Sequence, residues 1–347
     1  MKVLYLFNRV RENAAEGIKL GKDHDNHFFG MYRLQKYGIE ASYIELESVF
    51  AKRVASFLRK YILNIHTAHV PLLPFFRRYD VVFTSTAFGT FLAKNLLFMR
   101  KPKWVLFDYG LFGLIGNRKT FKQKLLYYLV SRADGIVTIS KAEQDDLYTL
   151  FPAKKDSITF IPLGTDTTFF TPQQIPEEDF IISVGRDPGR DFGTLIDAIK
   201  DTSIHLKLTA KPQQLKRFAP LPFNISVHDF SPAELLEQYA KSKLVVLPLK
   251  PRHQNDSMGC STLVESMAMG KAVIATDTST MASYITNGKN GILVPELRAD
   301  ILRNEIVSLL SNKTRRDSLG KEARKYILET SDSDIFARHL ANYFNSF

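Results

Sequence analysis

The segment that decides the fold is Asn255–Thr276, which reads NDSMGCSTLVESMAMGKAVIAT. A polar loop leads past Gly259 into a predicted short helix, which ends near Gly270 and is followed by the apolar strand Ala272–Ala275. Small residues at the start of this helix let the backbone approach a ligand closely. The unpaired N–H groups and the dipole of a helix N-terminus favour an anion. The segment therefore predicts a phosphate-binding turn in front of a helix.

Glu265 lies one turn into this helix, and the residues alone leave two interpretations of it open. Thr262 and Glu265 have the spacing of a capping box, in which the two side chains only close the N-terminus of their own helix. Alternatively, a carboxylate beside a phosphate-binding turn accepts hydrogen bonds from the hydroxyls of a ribose. Cys260 is the single cysteine, which excludes an intramolecular disulfide. We interpret it as a small residue packed at the helix start rather than as a nucleophile.

Length and charge restrict the class of protein. A chain of 347 residues with 45% hydrophobic residues predicts about two domains with sizeable cores. The net charge is +11, and residues 1–175 carry nearly all of it, with 25 Lys and Arg against 15 Asp and Glu. Such a basic half attracts anionic lipid, nucleic acid or acidic sugars. There is no signal-peptide pattern and no run of ~20 apolar residues, so we expect a cytoplasmic protein or one attached to the inner face of the cell membrane.

Short apolar runs alternate with amphipathic segments along the chain, which is typical of βαβ units and parallel sheets. Residues 161–178 contain three prolines and no sustained period, and we interpret them as a linker. We expect two tandem Rossmann-like, doubly wound α/β domains that face a central cleft. They cover residues 1–170 and 171–330, and residues 331–347 form a helix that packs back toward the N-terminal domain. Ligands of such sheets bind beyond the carboxyl ends of the strands. The predicted strands are Lys2–Phe7, Ala41–Leu46, Asp80–Thr84, Trp104–Asp108, Gly135–Ser140, Phe180–Val184, His205–Thr209, Ile225–Val227, Leu244–Leu247, Ala272–Ala275 and Gly291–Val294.

The loop after the first strand of the second domain carries two arginines four positions apart. It reads GRDPGRD from Gly185, and Arg186 and Arg190 could form a fork for a diphosphate, since guanidinium groups pair with phosphate oxygens in a bidentate manner. The alternative is a surface loop in which Arg190 pairs with Asp187 or Asp191.

Several segments in the right order resemble one family. The motifs VGR…RDFGTLIDA and GCSTLVESMAMGKAVIAT resemble the donor domain of the family 4 glycosyltransferases, which have the GT-B fold. ADGIVTIS at 133–140, IPLGTD at 161–166, and the segments 231–248 and 284–294 also resemble motifs of that family. The resemblance covers residues 133–294 and implies that a sugar is transferred from a nucleotide-diphosphate sugar. It implies neither a cofactor nor a metal.

The resemblance implies roles for single residues. Arg186 and Arg190 would hold the diphosphate and stabilise it as it leaves, although the family has lysine where Arg190 stands. Glu265 would bind the ribose hydroxyls. The first glutamate of the family's E-x7-E motif falls on Ser257, and Asp256 is out of register. This departure leaves the donor sugar and the retention of anomeric configuration open. The expected donor-binding residues are Arg186, Arg190, Asp256, Ser257, Gly259, Cys260, Ser261, Thr262 and Glu265.

The N-terminal domain must supply acceptor contacts and any base. Asp108 ends a predicted strand before Tyr109 and Gly110, so it could act as a general base in the cleft or cap the turn that follows. The segment from Asp23 to His27 reads DHDNH and is dense in potential metal ligands. We expect Asp25 and His27 to line the acceptor site rather than bind a metal.

The segment 51–78 mixes basic residues with large apolar ones, which suits either an interfacial helix on anionic membrane or a core helix with a basic outer face. No RNA-binding signature or helix-turn-helix is apparent, so we expect no nucleic-acid partner. No G-x-G-x-x-G follows the opening strand of either domain, which argues against a dehydrogenase. We therefore predict a metal-independent glycosyltransferase that acts on a glycan or lipid-linked acceptor, in cell-surface polysaccharide or glycolipid synthesis. A nucleotide-sugar epimerase or a phosphorylase of the same fold is the alternative.

Overall fold

The structure is a computed structural model that describes residues 1–251 and 257–347, so Asp256 lies outside the described residues. It contains two six-stranded sheets, and all the strand pairings in them are parallel. The strands of the first sheet are β1 (Lys2–Leu6), β2 (Glu40–Tyr43), β3 (Val81–Thr84), β4 (Lys103–Asp108), β5 (Gly135–Thr138) and β6 (Ile158–Phe160). Those of the second are β7 (Ile181–Val184), β8 (Leu206–Thr209), β9 (Ile225–Val227), β10 (Val245–Leu247), β11 (Val273–Thr276) and β12 (Ile292–Val294).

The strand orders are β2-β1-β3-β4-β5-β6 and β12-β11-β10-β7-β8-β9. In each sheet the chain therefore adds strands on one side of its first strand, β1 or β7, and then on the other side. The helices of the first half are α1 (Glu12–Lys19), α2 (Lys52–Tyr61), α3 (Leu73–Phe76), α4 (Phe88–Leu96), α5 (Leu111–Ile115), α6 (Phe121–Arg132) and α7 (Lys141–Leu150). Those of the second half are α8 (Phe192–Ile199), α9 (Pro212–Leu215), α10 (Pro232–Lys241), α11 (Cys260–Ala268), α12 (Ser279–Ala282), α13 (Ala299–Ser311), α14 (Lys313–Thr330) and α15 (Ser333–Asn345). Short 3₁₀ helices cover Asp25–Phe28, Met31–Tyr37, Leu46–Ser48, Val70–Leu72, Pro152–Ser157 and Lys216–Phe218.

The predicted GT-B architecture of two Rossmann-like domains is confirmed. Strand β6 and helix α1 were not predicted. No residue of α1 is fully buried, and only Ala14, Ala15 and Ile18 pack against the core, so its apolar face is short. Residues 25–37 form two separate 3₁₀ helices, because Phe29 and Gly30 between them have positive φ.

Both faces of each sheet are covered, as parallel sheets require. In β1, Val3 and Tyr5 belong to the core that faces the second domain, whereas Leu4 and Leu6 belong to the core under α4 and α6. The first of these cores continues through the donor-side helix α11 into the second sheet. The two domains therefore share one apolar core.

Helix α15 follows the second domain in sequence but lies on the first. Its Phe336 and Phe344 contact Phe107 and Phe83 with ring centroids 6.1 and 5.4 Å apart. The chain crosses between the domains twice, and the crossings are hydrogen-bonded to each other, with Thr165 N–H donating to the Ser331 carbonyl at 2.8 Å. None of the helices in the described residues is long and apolar enough to span a bilayer.

Candidate functional site

Arg190 is the most deeply placed charge of the predicted donor site. Only 3% of its surface is exposed. Its Nε donates to Asp187 Oδ2 at 2.8 Å, and its Nη2 donates to Thr262 Oγ1 at 3.0 Å. Nη1 is buried and has no hydrogen-bond partner in the described residues. The ion pair between Arg190 and Asp187, which the sequence offered as an alternative to phosphate binding, does form. Arg190 is nevertheless buried, so it is not part of an exposed surface loop. A buried donor without a partner is costly, and an anion reaching Nη1 would remove that cost.

Two glycines make room for this guanidinium. A Cβ at Gly185, directly after β7, would overlap the guanidinium, and a Cβ at Gly259 would lie 3.4 Å from Nη1. Gly259 is the N-cap of α11 and has φ +87°, a conformation that favours glycine. The guanidinium of Arg190 therefore lies directly in front of a nine-residue helix. Its positive charge and the helix N-terminus act on the same space, which makes that space an anion site.

The capping-box interpretation of Thr262 and Glu265 is wrong. Helix α11 begins at Cys260 and its N-cap is Gly259, so Thr262 is already within the helix. The Thr262 hydroxyl accepts from Arg190 and donates to the Val184 carbonyl at 3.4 Å. This hydroxyl fixes the guanidinium, and the Glu265 carboxylate is not engaged in closing the helix terminus.

Glu265 is half-buried and faces the other domain. Its Oε1 accepts a hydrogen bond from Asn26 Nδ2 at 3.3 Å. Burial raises the pKa of Glu265 to about 7, while the Asn26 bond and the charge of Arg190 oppose this rise. The Asn26 amide also bonds to Thr165 Oγ1 at 3.0 Å and accepts the Asp166 N–H at 2.7 Å. Sequence reasoning missed Asn26 because its contact with Glu265 joins positions 239 residues apart.

The remaining described donor-side residues differ in accessibility. Arg186 has a side chain that is 44% exposed and pairs with the exposed carboxylate of Asp229. Ser257 and Cys260 are buried, and Ser261 is exposed. Burial raises the pKa of the Cys260 thiol to about 12, so the thiol stays protonated near neutral pH and is a poor nucleophile.

Asp108 occupies the last position of β4, but it does not open onto the cleft. Its side chain is fully buried, and its Oδ1 accepts the N–H groups of Gly110 at 2.8 Å and Leu111 at 2.7 Å. Burial and the neighbouring carboxyl of Glu143 raise the pKa of Asp108 well above its ordinary value. The expectation that Asp108 faces the cleft is therefore corrected. Its contacts are those of the turn-capping alternative, and its role as a base stays a prediction.

Asp25 joins elements rather than lining an open surface. Its carboxylate accepts from Arg33 Nε at 2.7 Å and from Ser333 Oγ at 2.9 Å, so it holds the 3₁₀ turn to α15. The expectation that Asp25 belongs to the acceptor site stays a prediction. His27 is half-buried, with its ring against that of His24, and burial lowers the pKa of His27.

Comparison with known proteins assigns the family. Residues 168–326 match the family Glycosyl transferases group 1, and residues 24–169 match Glycosyltransferase Family 4. The two matches meet inside the predicted linker and together take in the donor-side arginines and Glu265. The chain belongs to the GT-B glycosyltransferases. The resemblance found in the sequence is thereby confirmed.

Curated relatives of this glycosyltransferase are distant. A D-inositol 3-phosphate glycosyltransferase of Rhodococcus erythropolis is 24% identical over 230 residues, which are 57% of this chain and 50% of the relative. An uncharacterized glycosyltransferase of Methanocaldococcus jannaschii is 26% identical over 148 residues, or 40% of each chain. The chain spans about half the length of the curated relatives it matches.

Solved structures are similar over the whole chain. HepE of Anabaena, in complex with UDP and glucose, is 16% identical with a TM-score of 0.72 and covers 100% of both chains. Sucrose-phosphate synthase of Thermosynechococcus elongatus is also 16% identical with a TM-score of 0.72, over 99% of this chain and 98% of that one. At this identity the likeness shows a shared GT-B fold.

Proposed function

We propose that the chain transfers a glycosyl group from a nucleoside diphosphate sugar to a glycan or lipid-linked acceptor. The observation that carries the proposal is the Arg190 guanidinium, which is buried in front of the N-terminus of α11 and whose Nη1 has no partner among residues 1–251 and 257–347. A diphosphate placed there accepts from Nη1 and from the first N–H groups of the helix. Glu265, one turn further along the same helix, is positioned to accept from the ribose hydroxyls.

The same groups would act on the leaving diphosphate. Negative charge grows on the diphosphate as the glycosidic bond breaks, and a prepositioned guanidinium stabilises that charge without reorganising. Arg186 adds a second cation, since its exposed pair with Asp229 is weak enough to exchange for a phosphate oxygen. Two guanidinium groups and a helix N-terminus can serve the leaving group without a metal ion. We propose metal-independent transfer, with retention of configuration as in the family the chain resembles.

The sugar half of the donor site should differ from that of the family. Ser257 stands where the family has a glutamate, and it is buried next to Gly259 at the start of α11. A neutral hydroxyl accepts from sugar hydroxyls more weakly than a carboxylate does. The Anabaena relative is described with UDP-glucose, which makes UDP-glucose the first donor to test.

Helix α2 supports a membrane-bound acceptor. Its only buried residue is Ala55, and its exposed side chains Val54, Phe57 and Tyr61 follow the spacing of one helix face. Lys60 lies beside this face, with its Nζ 5.0 Å from the Tyr61 ring centroid. An apolar face flanked by basic residues binds the interface of an anionic bilayer. We propose peripheral binding at the cytoplasmic face of the membrane and a part in cell-surface polysaccharide or glycolipid synthesis.

Nucleotide binding is the first test. Unfolding is followed with UDP, GDP and ADP, and a ligand at ~100 times its dissociation constant adds ~2.7 kcal/mol to the free energy of unfolding. The nucleotide that stabilises the chain then defines the donor panel. Binding of none of them at millimolar concentration would contradict the proposal.

Product analysis separates the reactions open to this fold. The donor sugar is incubated alone, with inorganic phosphate, and with vesicles containing a polyprenyl-phosphate-linked acceptor. An altered sugar nucleotide in the first reaction indicates an epimerase, and a sugar phosphate in the second indicates a phosphorylase. We expect a new glycolipid in the third reaction only.

A further inference from the structure

We propose that Asp23, His24 and His27 form a binding site for one divalent transition-metal ion of the Zn²⁺ type in the N-terminal domain. Each of these side chains offers one ligand atom, and the three atoms lie within 4.8 Å of one another. The site lies just before and within the 3₁₀ turn Asp25–Phe28. It goes beyond the proposed transfer reaction, whose leaving group is served by arginines, and it revises the expectation that His27 does not bind a metal.

The local fold places the two imidazoles on one side of the turn. His24 is the N-cap of the turn and His27 lies three positions later, a spacing that aligns side chains in a 3₁₀ helix. Their ring centroids are 4.6 Å apart. Asp23 Oδ1 accepts the His24 N–H at 2.8 Å and lies 3.7 Å from His24 Nε2. Tetrahedral Zn²⁺ with bonds of ~2.0–2.2 Å needs ligand atoms roughly 3.4 Å apart. Small side-chain rotations are enough to reach that separation.

His24 is held in place by aromatic packing. Only 7% of the residue is exposed, and the rings of Phe169 and Phe170 lie 5.5 and 4.9 Å from its ring centroid. Its Nε2 faces Asp23 and is the nitrogen that would bind the ion. Its Nδ1 is buried with no hydrogen-bond partner in the described part of the chain.

The chemistry of the set favours a transition metal. Two imidazoles and one carboxylate suit Zn²⁺, Co²⁺ or Ni²⁺, whereas Mg²⁺ and Ca²⁺ prefer oxygen ligands. Three protein ligands leave a fourth position for water or a substrate oxygen.

The position of the site links it to the domain interface. Asn26, between the two histidines in sequence, is the residue that bonds Glu265 of the other domain. An ion held by the side chains on either side of Asn26 would fix the turn that carries this contact.

Metal titration tests the proposal without any measurement of transfer. The untagged full chain is treated with EDTA, dialysed, and titrated with Co²⁺ by visible absorption and with Zn²⁺ by calorimetry. The variants are His27→Gln and Asp23→Asn. Each replaces a half-buried side chain by one of similar volume. His228→Gln, in the second domain beside Ser226, is the matched control.

We expect wild type and the His228→Gln variant to bind one equivalent of either ion. Loss of an outer-sphere partner already costs ~10–100-fold in affinity, so each ligand variant should weaken binding by at least ~10-fold. The Co²⁺ absorption of the variants should change in shape as well. The proposal is overturned if wild type binds neither ion, or if the folded His27→Gln and Asp23→Asn variants both keep wild-type affinity. Nucleotide binding is measured separately, so failure here leaves the proposed transfer function standing.

Discussion

Replacing Arg190 by alanine should weaken nucleotide binding far more than it weakens the fold. In the free protein the side chain makes two hydrogen bonds, to Asp187 at 2.8 Å and to Thr262 at 3.0 Å. The Asp187 side chain is 29% exposed, so water can take over its carboxylate when the guanidinium is removed. The bound diphosphate, in contrast, loses the donor Nη1 without a replacement. A hydrogen bond to a charged group contributes about 1.5–3 kcal/mol, which corresponds to a ~10–150-fold higher dissociation constant.

The assay is calorimetric titration of each variant with UDP, together with a circular dichroism melting curve. Arg190→Lys keeps the charge, as the family does at this position, and should retain most of the affinity. Arg186→Ala removes an exposed guanidinium that is already paired with Asp229 and should cost less than Arg190→Ala. The reasoning is refuted if folded Arg190→Ala binds UDP within threefold of wild type. It is also refuted if Arg186→Ala is the more damaging substitution.

Three further outcomes are expected. The affinity for UDP-glucose should rise with pH up to about 7 and then level off, because Glu265 must lose its proton to accept from two ribose hydroxyls. Calorimetry between pH 5.5 and 8.5 should show this rise in wild type and not in Glu265→Gln. The pKa of Glu265 is higher in the folded chain than in the unfolded chain, so this carboxyl stabilises the unliganded fold at pH values below its pKa in the unfolded chain. This contribution to the free energy of unfolding is lost as the pH rises through about 7. Asp108→Asn should change turnover by less than tenfold, because the carboxyl is fully buried and accepts the N–H groups of Gly110 and Leu111; a loss of ~10²–10⁴-fold in steady-state assays would establish it as a general base. Phe57→Ser together with Tyr61→Ser should reduce sedimentation with anionic vesicles, and equal sedimentation of wild type and variant at low salt would rule out α2 as the membrane contact.

Most of the architecture could be predicted because parallel strands buried on both faces leave continuous apolar runs. Strand β3 is buried at all four positions, and its run VVFT is visible in the sequence. Strand β6 has one buried residue and two that are only partly buried, so it gave no such signal. Helix α1 has no buried residue at all.

The site was predictable where a local motif carries it and not where two domains meet. The loop around Arg190 and the start of α11 are contiguous segments, so their chemistry could be interpreted directly. The sequence could not indicate that Nη1 of Arg190 lacks a partner or that Asn26 bonds Glu265, because both depend on packing between distant segments. The inward direction of Asp108 depends on the turn at Gly110, whose positive φ brings two N–H groups onto the carboxylate.

The two crossings between the domains are joined to each other, because the backbone of Thr165 is hydrogen-bonded to Ser331 and Ser333. Because α15 covers Phe83 and Phe107, a fragment that ends with the first domain would expose those rings to water. The core of the N-terminal domain is thus completed by a helix that follows the whole donor domain in the sequence, so this face of the domain is covered only after the donor domain has been synthesised.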